Sequence, residues 1–233
     1  VKFKDPVFEG QFLKRYKRFF ADVDYKGQVV TAHVANTGSM RGLIEKEAPC
    51  LITFNDSPTR KLKYTLQAIQ SATSWVGINT SLPNGLVLEA FQNKKIKHWL
   101  NYTTAKPEHK ISAETRLDLY LTGENQTPLY VEVKNVTLAE DKVALFPDSV
   151  TARGLKHLHE LIELVEGGSK AEMVFVVQRT DCTVFRPAVA IDPKYAEGLK
   201  KARDAGVKIS AYPVVFEGDG IALNCDHAIR VEI

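Results

Sequence analysis

A chain of 233 residues is long enough for one large domain or two small ones, and its 44% hydrophobic and 25% charged content is ordinary for a globular protein. No apolar run approaches the roughly 18 residues a membrane helix needs, and no charged-then-apolar leader opens the sequence. Cys50, Cys182 and Cys225 are scattered with no CxxC pair, so the expectation is free thiols in a reducing cytoplasm rather than a disulfide framework.

The net charge of +3 conceals an asymmetry. Residues 1–110 carry 17 Lys and Arg against 9 Asp and Glu, whereas residues 111–233 carry 14 against 19. A basic front and an acidic rear suit the grasping and processing of a polyanion, with ordinary drift in surface charge as the alternative.

In chain order, the first elements are short and β-like. Residues 12–23 are rich in aromatics and read as a strand, followed by a turn at 24–27 and a returning strand at 28–34. Residues 50–54 and 64–69 add two more. Several short strands with regular turns suit a small barrel, and an OB-type barrel is a common nucleic-acid platform. From Asn84 the pattern changes, with Asn84 expected to cap a helix over 85–91. Two apolar runs, 116–121 and 129–134, flank a polar turn containing Gly123 and Pro128 and read as a hairpin. Leu155, Leu158, Leu161, Ile162 and Val165 have helical spacing across 151–166, ended by Gly167 and Gly168. A buried strand at 173–177, a helix from Asp192-Pro193 to Gly206 and a strand at 207–212 complete an α/β sandwich with a mixed sheet.

The hairpin carries the chemistry. Side chains alternate faces along a strand, so Glu132 and Lys134 point one way while Val131 and Val133 point the other. The pairing would bring Asp118 beside Glu132, giving a D-x(13)-E-x-K pattern. Two carboxylates bind a hard cation through oxygen, and the carbonyl of Val133 could add a further ligand. Such a cation polarises a phosphoryl oxygen and activates water, while Lys134 would orient that water or stabilise growing charge. The bland alternative is a solvated salt-bridge face.

Other candidates are cationic. Lys14, Arg15, Lys17 and Arg18 interleave with Tyr16 as a surface tracking a nucleic-acid backbone would, and on a strand Arg15 and Lys17 would share a face. Residues 36–40 form either a phosphate-contacting loop or a tight structural turn. Arg153 and Lys156, at the start of the long helix, could meet a phosphate or pair with Asp148 or Glu160. His157 near the site is a possible phosphate donor, against a packed histidine; Glu108 and Glu114 are weaker additions to the acid cluster.

The segments 14–19, 36–40, 116–118, 130–138 and above all 146–158 (FPDSVTARGLKHL) closely resemble the sugar fermentation stimulation protein A (SfsA) family. The resemblance spans nearly the whole chain. It implies an α/β (α+β) fold: an OB-like β-barrel over residues 1–80, then a PD-(D/E)xK restriction-endonuclease-like α/β/α domain over 81–233. It also implies DNA binding with little sequence preference and a link to sugar use, notably maltose. Carried over, Asp118 matches the motif's first acid, Glu132 its second and Lys134 its lysine. Glu89 matches the acid that such folds often carry on their first core helix. Leu117 stands where the motif has Pro, which leaves the metal-binding acid intact. The leading expectation is a Mg²⁺-dependent DNA endonuclease, with Mn²⁺ possible, that hydrolyses phosphodiesters and could act as a homodimer. A non-catalytic DNA-binding regulator that retains the fold is the alternative, and an RNA substrate is a third.

Overall fold

The structure is a computed structural model that describes all residues except 73, 113 and 114. The first half is a barrel. Its strands are β1 (Val7–Tyr16), β2 (Phe20–Tyr25), β3 (Gln28–Val34), β4 (Pro49–Phe54), β5 (Tyr64–Ser71) and β6 (Ser74–Gly77). They run in the order β3-β2-β1-β4-β5-β6, and β3 also pairs in parallel with β5, closing a ring of five. Alternating residues fill the ring: Phe12, Val23, Ala32, Ile52 and Leu66 are fully buried. The single strand expected over 12–23 is a hairpin instead. Lys17 and Arg18 adopt positive φ (46° and 62°), turning the chain between β1 and β2.

The second half begins with α1 (Pro83–Gln92). It continues through β7 (Thr104–Lys110), β8 (Arg116–Thr122), β9 (Leu129–Val136), β10 (Ala139–Glu140), β11 (Val143–Phe146) and α2 (Ala152–Glu166). Then come β12 (Lys170–Val177), β13 (Val184–Pro187), α3 (Pro193–Asp204), β14 (Lys208–Glu217), β15 (Gly220–Leu223) and β16 (Arg230–Val231). The main sheet has the order β15-β14-β12-β9-β8-β7, parallel at β9–β12–β14 and antiparallel elsewhere. On one face Leu86 and Val87 of α1 pack with Leu119, Val131, Val174 and Val176. On the other, Leu158 and Leu161 of α2 and Leu199 of α3 pack with Met173, Phe175 and Val177. This is the expected OB-like barrel followed by a mixed α/β/α unit. A small sheet, β10-β11-β13-β16, lies on the α2–α3 side.

Helix ends explain part of the geometry. Thr151 caps α2 by accepting the Gly154 N–H at 3.0 Å. Asp192 caps α3 through Tyr195 N–H at 3.0 Å and reaches Thr151 N–H at 2.9 Å, tying the two helix starts together. Asn84 is not a cap. Leu82 holds that position without a side-chain bond, Pro83 starts the helix, and Asn84 lies inside the first turn.

The barrel meets the sheet along backbone. Gly77 N–H donates to Gln178 O at 2.8 Å, and a Cβ there would lie 2.2 Å from Gln178 Oε1, so a larger residue would have to displace the Gln178 side chain. At its start the chain runs beside β15, with Phe3 N–H donating to Asp219 O and Ile221 N–H to Val1 O, each at 2.9 Å. Among the described residues, no helix is long and apolar enough to cross a membrane.

Candidate active site

The β8–β9 ladder runs from Leu121↔Leu129 to Leu119↔Val131 and stops. At the next step a side chain replaces the backbone acceptor: Asp118 Oδ2 takes the Val133 N–H at 2.7 Å. Asp118 Oδ1 accepts from Asn84 Nδ2 at 2.7 Å. The strands therefore part at the point where the acidic residues stand. The β8 alternation also breaks there, because Leu117 packs on the α2 side whereas Leu119 and Leu121 pack on the α1 side. The strand therefore rolls, and its three leucines are split between two cores. Opposite, Glu108 on β7 sits at φ 49°, an unusual conformation for a residue with a Cβ.

The parted strands and α2 enclose a cleft of about 270 Å³ lined by Glu108, Lys110, Arg116, Asp118, Glu132, Arg153 and His157. Glu132 is 2% exposed. Its Oε1 accepts from Lys134 Nζ at 2.5 Å and from His157 Nδ1, while its Oε2 is buried with no hydrogen-bond partner. Lys134 Nζ also lies 3.3 Å from His157 Nδ1. Arg153 Nε donates to His157 Nε2 at 3.4 Å, which places the ring proton on Nδ1, facing Glu132.

The two carboxyl groups have their pKa values pushed in opposite directions. Burial and the neighbouring Glu132 push the Asp118 carboxyl up from 3.8 to about 6, against the pull of the Val133 N–H, Lys134 and Asn84. For Glu132, burial works upward but is outweighed by the hydrogen bond from His157 and the charge of Lys134, so its pKa falls below the ordinary value. Two carboxylates sharing a cleft, one with a buried unsatisfied oxygen, are groups that could contribute oxygen ligands to a cation.

The structure thus brings together Asp118, Glu132, Lys134 and, on the lip, Arg153. It does not bring Glu89. Five residues beyond Asn84 on α1, Glu89 is turned about 140° away from the Asp118 side. Its carboxylate accepts from the Val1 amino group at 2.6 Å and lines a separate cavity of about 420 Å³ with Lys95, Glu217 and Asp226. Lys156 is half-exposed, its Nζ 3.8 Å from Glu160 Oε1, so of the two alternatives it shows the ion pair.

The cationic strand is also revised. Arg15 is a structural clamp: Nε donates to Arg18 O at 2.8 Å, and its terminal nitrogens donate to Gly38 O at 2.9 Å and Asn36 O at 2.7 Å. Lys14 pairs with Asp22 at 3.3 Å and lies over the Tyr16 ring. Lys17 and Arg18 project from the turn, exposed. Arg15 and Lys17 therefore do not share a strand face, because the strand ends between them.

Two contributors escaped the sequence reading in their present roles. Asn84 looked like a helix cap, and nothing local announces its bond to Asp118. His157 stood as more readily packed than functional. Its i, i+4 spacing from Arg153, on the stripe that also carries Leu158 and Leu161, was the available signal. Glu114 lies outside the described residues.

Comparison with known proteins agrees with this architecture. Residues 13–78 match the family model described as SfsA N-terminal OB domain, and residues 81–220 match the one described as sugar fermentation stimulation protein RE domain. A sugar fermentation stimulation protein homolog from Bdellovibrio bacteriovorus is 48% identical, covering 96% of this chain and 97% of the relative. One from Geotalea uraniireducens is 43% identical, covering 97% and 98%. The solved structure of Pyrococcus furiosus SfsA in complex with Ca²⁺ superposes with a TM-score of 0.86 at 29% identity, each chain covered over 100% of its length. The chain belongs to the sugar fermentation stimulation protein family.

Proposed function

We propose that this protein binds DNA with little sequence preference and hydrolyses its phosphodiester bonds with the help of a divalent cation, Mg²⁺ or Mn²⁺. The observation that carries this reading is the unsatisfied, buried Oε2 of Glu132 in the cleft that Asp118 also lines. Two carboxylates offer the oxygen donors hard cations prefer, and the Ca²⁺ held by the Pyrococcus furiosus relative is a cation of that class. In a strand the N–H and C=O of one residue point to the same side. Val133 donates its N–H towards Asp118, so its carbonyl faces the same gap and is available as a third ligand. Among the described residues no three His, Cys, Asp or Glu side chains form a ready-made cage, which leaves backbone and water to complete the set. When bound, the cation would polarise the phosphoryl group and lower the pKa of attacking water.

The chain's own groups do the remaining work. Lys134 Nζ, held against Glu132, is placed to orient the nucleophile and to offset charge growing on the phosphate. His157 fixes Glu132 Oε1, while Oε2 is left without a protein partner. Arg153, Arg116 and Lys110 line the opening and supply positive charge for a polyanion. Lys17 and Arg18 add exposed cations on the barrel.

The test uses plasmid DNA, wild type and Asp118→Asn, each in Mg²⁺, in Mn²⁺ and in EDTA. Cleavage that needs the cation and disappears in the variant supports the proposal. Equal nicking by both proteins would indicate a contaminant, and DNA binding without any cleavage would replace the proposal with a regulator that has kept the fold.

A further inference from the structure

The loop 36–40 lies outside the cleft, and its two sides are chemically unlike. On one side the Arg15 guanidinium collects carbonyls, donating to Asn36 O at 2.7 Å, Gly38 O at 2.9 Å and Ser39 O at 3.5 Å. With its acceptors neutralised by a fixed cation, the loop turns donors outward on the other side. Ser39 N–H and Ser39 Oγ both point at one oxygen, Asp148 Oδ2, at 3.3 and 3.2 Å. A Cβ on Gly38 would come within 2.9 Å of that same oxygen, so glycine leaves the room the carboxylate uses. An outward-facing backbone N–H and hydroxyl beside an absent side chain form an anion receptor. Its occupant is a carboxylate from the other domain.

That occupant is loosely held. Both contacts are exposed and longer than the ~2.7–2.9 Å of a well-made charge-assisted bond. A cavity of about 200 Å³ opens beside it, lined among others by Asn36, Gly38, Asn135, Phe146 and Asp148, so the carboxylate has space to leave. The receptor also stands between the two regions a bound strand would touch. Arg15 ties it to the exposed Lys17–Arg18 turn through Arg18 O, and Asp148 lies three residues before the Thr151 cap of α2, the helix that bears Arg153 and His157.

We propose that Gly38 and Ser39 form a seat for a backbone phosphate of a nucleic-acid strand, and that Asp148 is a resident stand-in which the phosphate displaces. The inference rests on the DNA binding proposed above and adds to it a defined contact outside the cleft. In this seat the Ser39 N–H and hydroxyl donate to a phosphate oxygen, Gly38 gives the clearance, and Arg15 keeps the loop in its donor-out form.

The experiment measures binding of a fluorescent DNA by anisotropy in EDTA, so that cleavage plays no part. The proteins are wild type, Asp148→Asn, Ser39→Ala and the double variant, with thermal melting to verify that each is folded. Weakening the stand-in should tighten DNA binding roughly fivefold, the difference between a charged and a neutral partner for the same donors. Ser39→Ala should weaken binding, and in the double variant the gain from Asp148→Asn should vanish. A gain that survives Ser39→Ala would be general relief of negative charge and would overturn the proposal. So would weaker binding by a folded Asp148→Asn, the signature of a plain interdomain tie. Inorganic phosphate is the second probe: a gain for phosphate without a gain for DNA overturns the assignment to a strand. Wild type that binds no DNA would sink the DNA reading itself, whereas wild type that binds DNA with no coupling between residues 39 and 148 would sink only the seat.

Discussion

Two buried glutamates on neighbouring strands, Glu132 on β9 and Glu172 on β12, face opposite sides of the sheet and are treated in opposite ways. Glu172 is fully buried and fully satisfied: Oε1 accepts from Ser210 Oγ at 2.6 Å, Oε2 from Trp99 Nε1 at 2.8 Å, and His98 Nε2 lies 2.9 and 3.1 Å from the two oxygens. Glu132, nearly as buried, has two partners crowded on Oε1 and none on Oε2. The first carboxylate is finished by the protein. The second keeps one oxygen without a partner, beside a cleft that Asp118 shares. Neither burial nor an unfilled oxygen alone singles out an acid, since Glu160 Oε2 is also buried without a partner; Glu132 differs in combining that oxygen with a cleft shared with a second carboxylate.

The sharpest way to test the contrast is to remove each acid. Glu132→Gln should lower cleavage roughly 10³-fold, since losing a cation ligand forfeits several kcal/mol of charge stabilisation. Glu172→Ala should leave cleavage near wild type at temperatures where the protein is folded. It should cost about 3 kcal/mol in urea unfolding, because Trp99, Ser210 and His98 lose a buried partner. If Glu172→Ala abolished cleavage without unfolding, the division between the two acids would break.

Asp118 gives a pH test. Its folded carboxyl titrates near 6 against an ordinary 3.8, so between these values the folded state binds more protons than the unfolded one. Stability is therefore lost as pH rises through that window, and the cost is complete above it. In EDTA, wild type should lose on the order of 2 kcal/mol of stability relative to Asp118→Asn as pH rises from about 4 to about 7.5, because the variant lacks the titrating group. Ca²⁺ or Mg²⁺ should raise the wild-type melting temperature and leave that of the variant unmoved. The same pH dependence in wild type and variant would show that Asp118 is not strained by its neighbour.

Smaller effects come from the supports. His157→Ala should weaken cation binding about tenfold or more, as loss of a ligand's partner commonly does, read by the midpoint of a Mg²⁺ titration of cleavage. Replacing Lys17 and Arg18 together with Ala should weaken binding on all sequences and reduce the salt-dependence slope by roughly 2. An unchanged slope would remove the β1–β2 turn from the contact surface.

What the sequence disclosed follows from periodicity. The α2 stripe and the β8–β9 hairpin are visible because their apolar residues repeat at helical and strand intervals, and Asp118, Glu132 and Lys134 fall inside those repeats. What it concealed are departures from repeat. The roll at Asp118, which sends Leu117 and Leu119 to different cores, depends on a side chain taking the place of a ladder bond. The turn at Lys17–Arg18 uses non-glycine residues at positive φ and carries none of the usual turn residues. Arg15 differs from the expectation because residue type suggests a ligand-facing group, whereas its donors are taken by residues 36–38, distant in sequence. Long-range partnership is what a local pattern does not encode.

The barrel is moored at both of its ends. Residues 1–3 lie along β15 before the chain enters β1, and residues 78–82 return it directly into α1, so neither end trails as a free hinge. A module suspended from one strand can swivel; one suspended from two is held like a jaw on a frame. The offset between the Lys17–Arg18 tip and Asp118 is then a dimension of the fold rather than of a swinging linker.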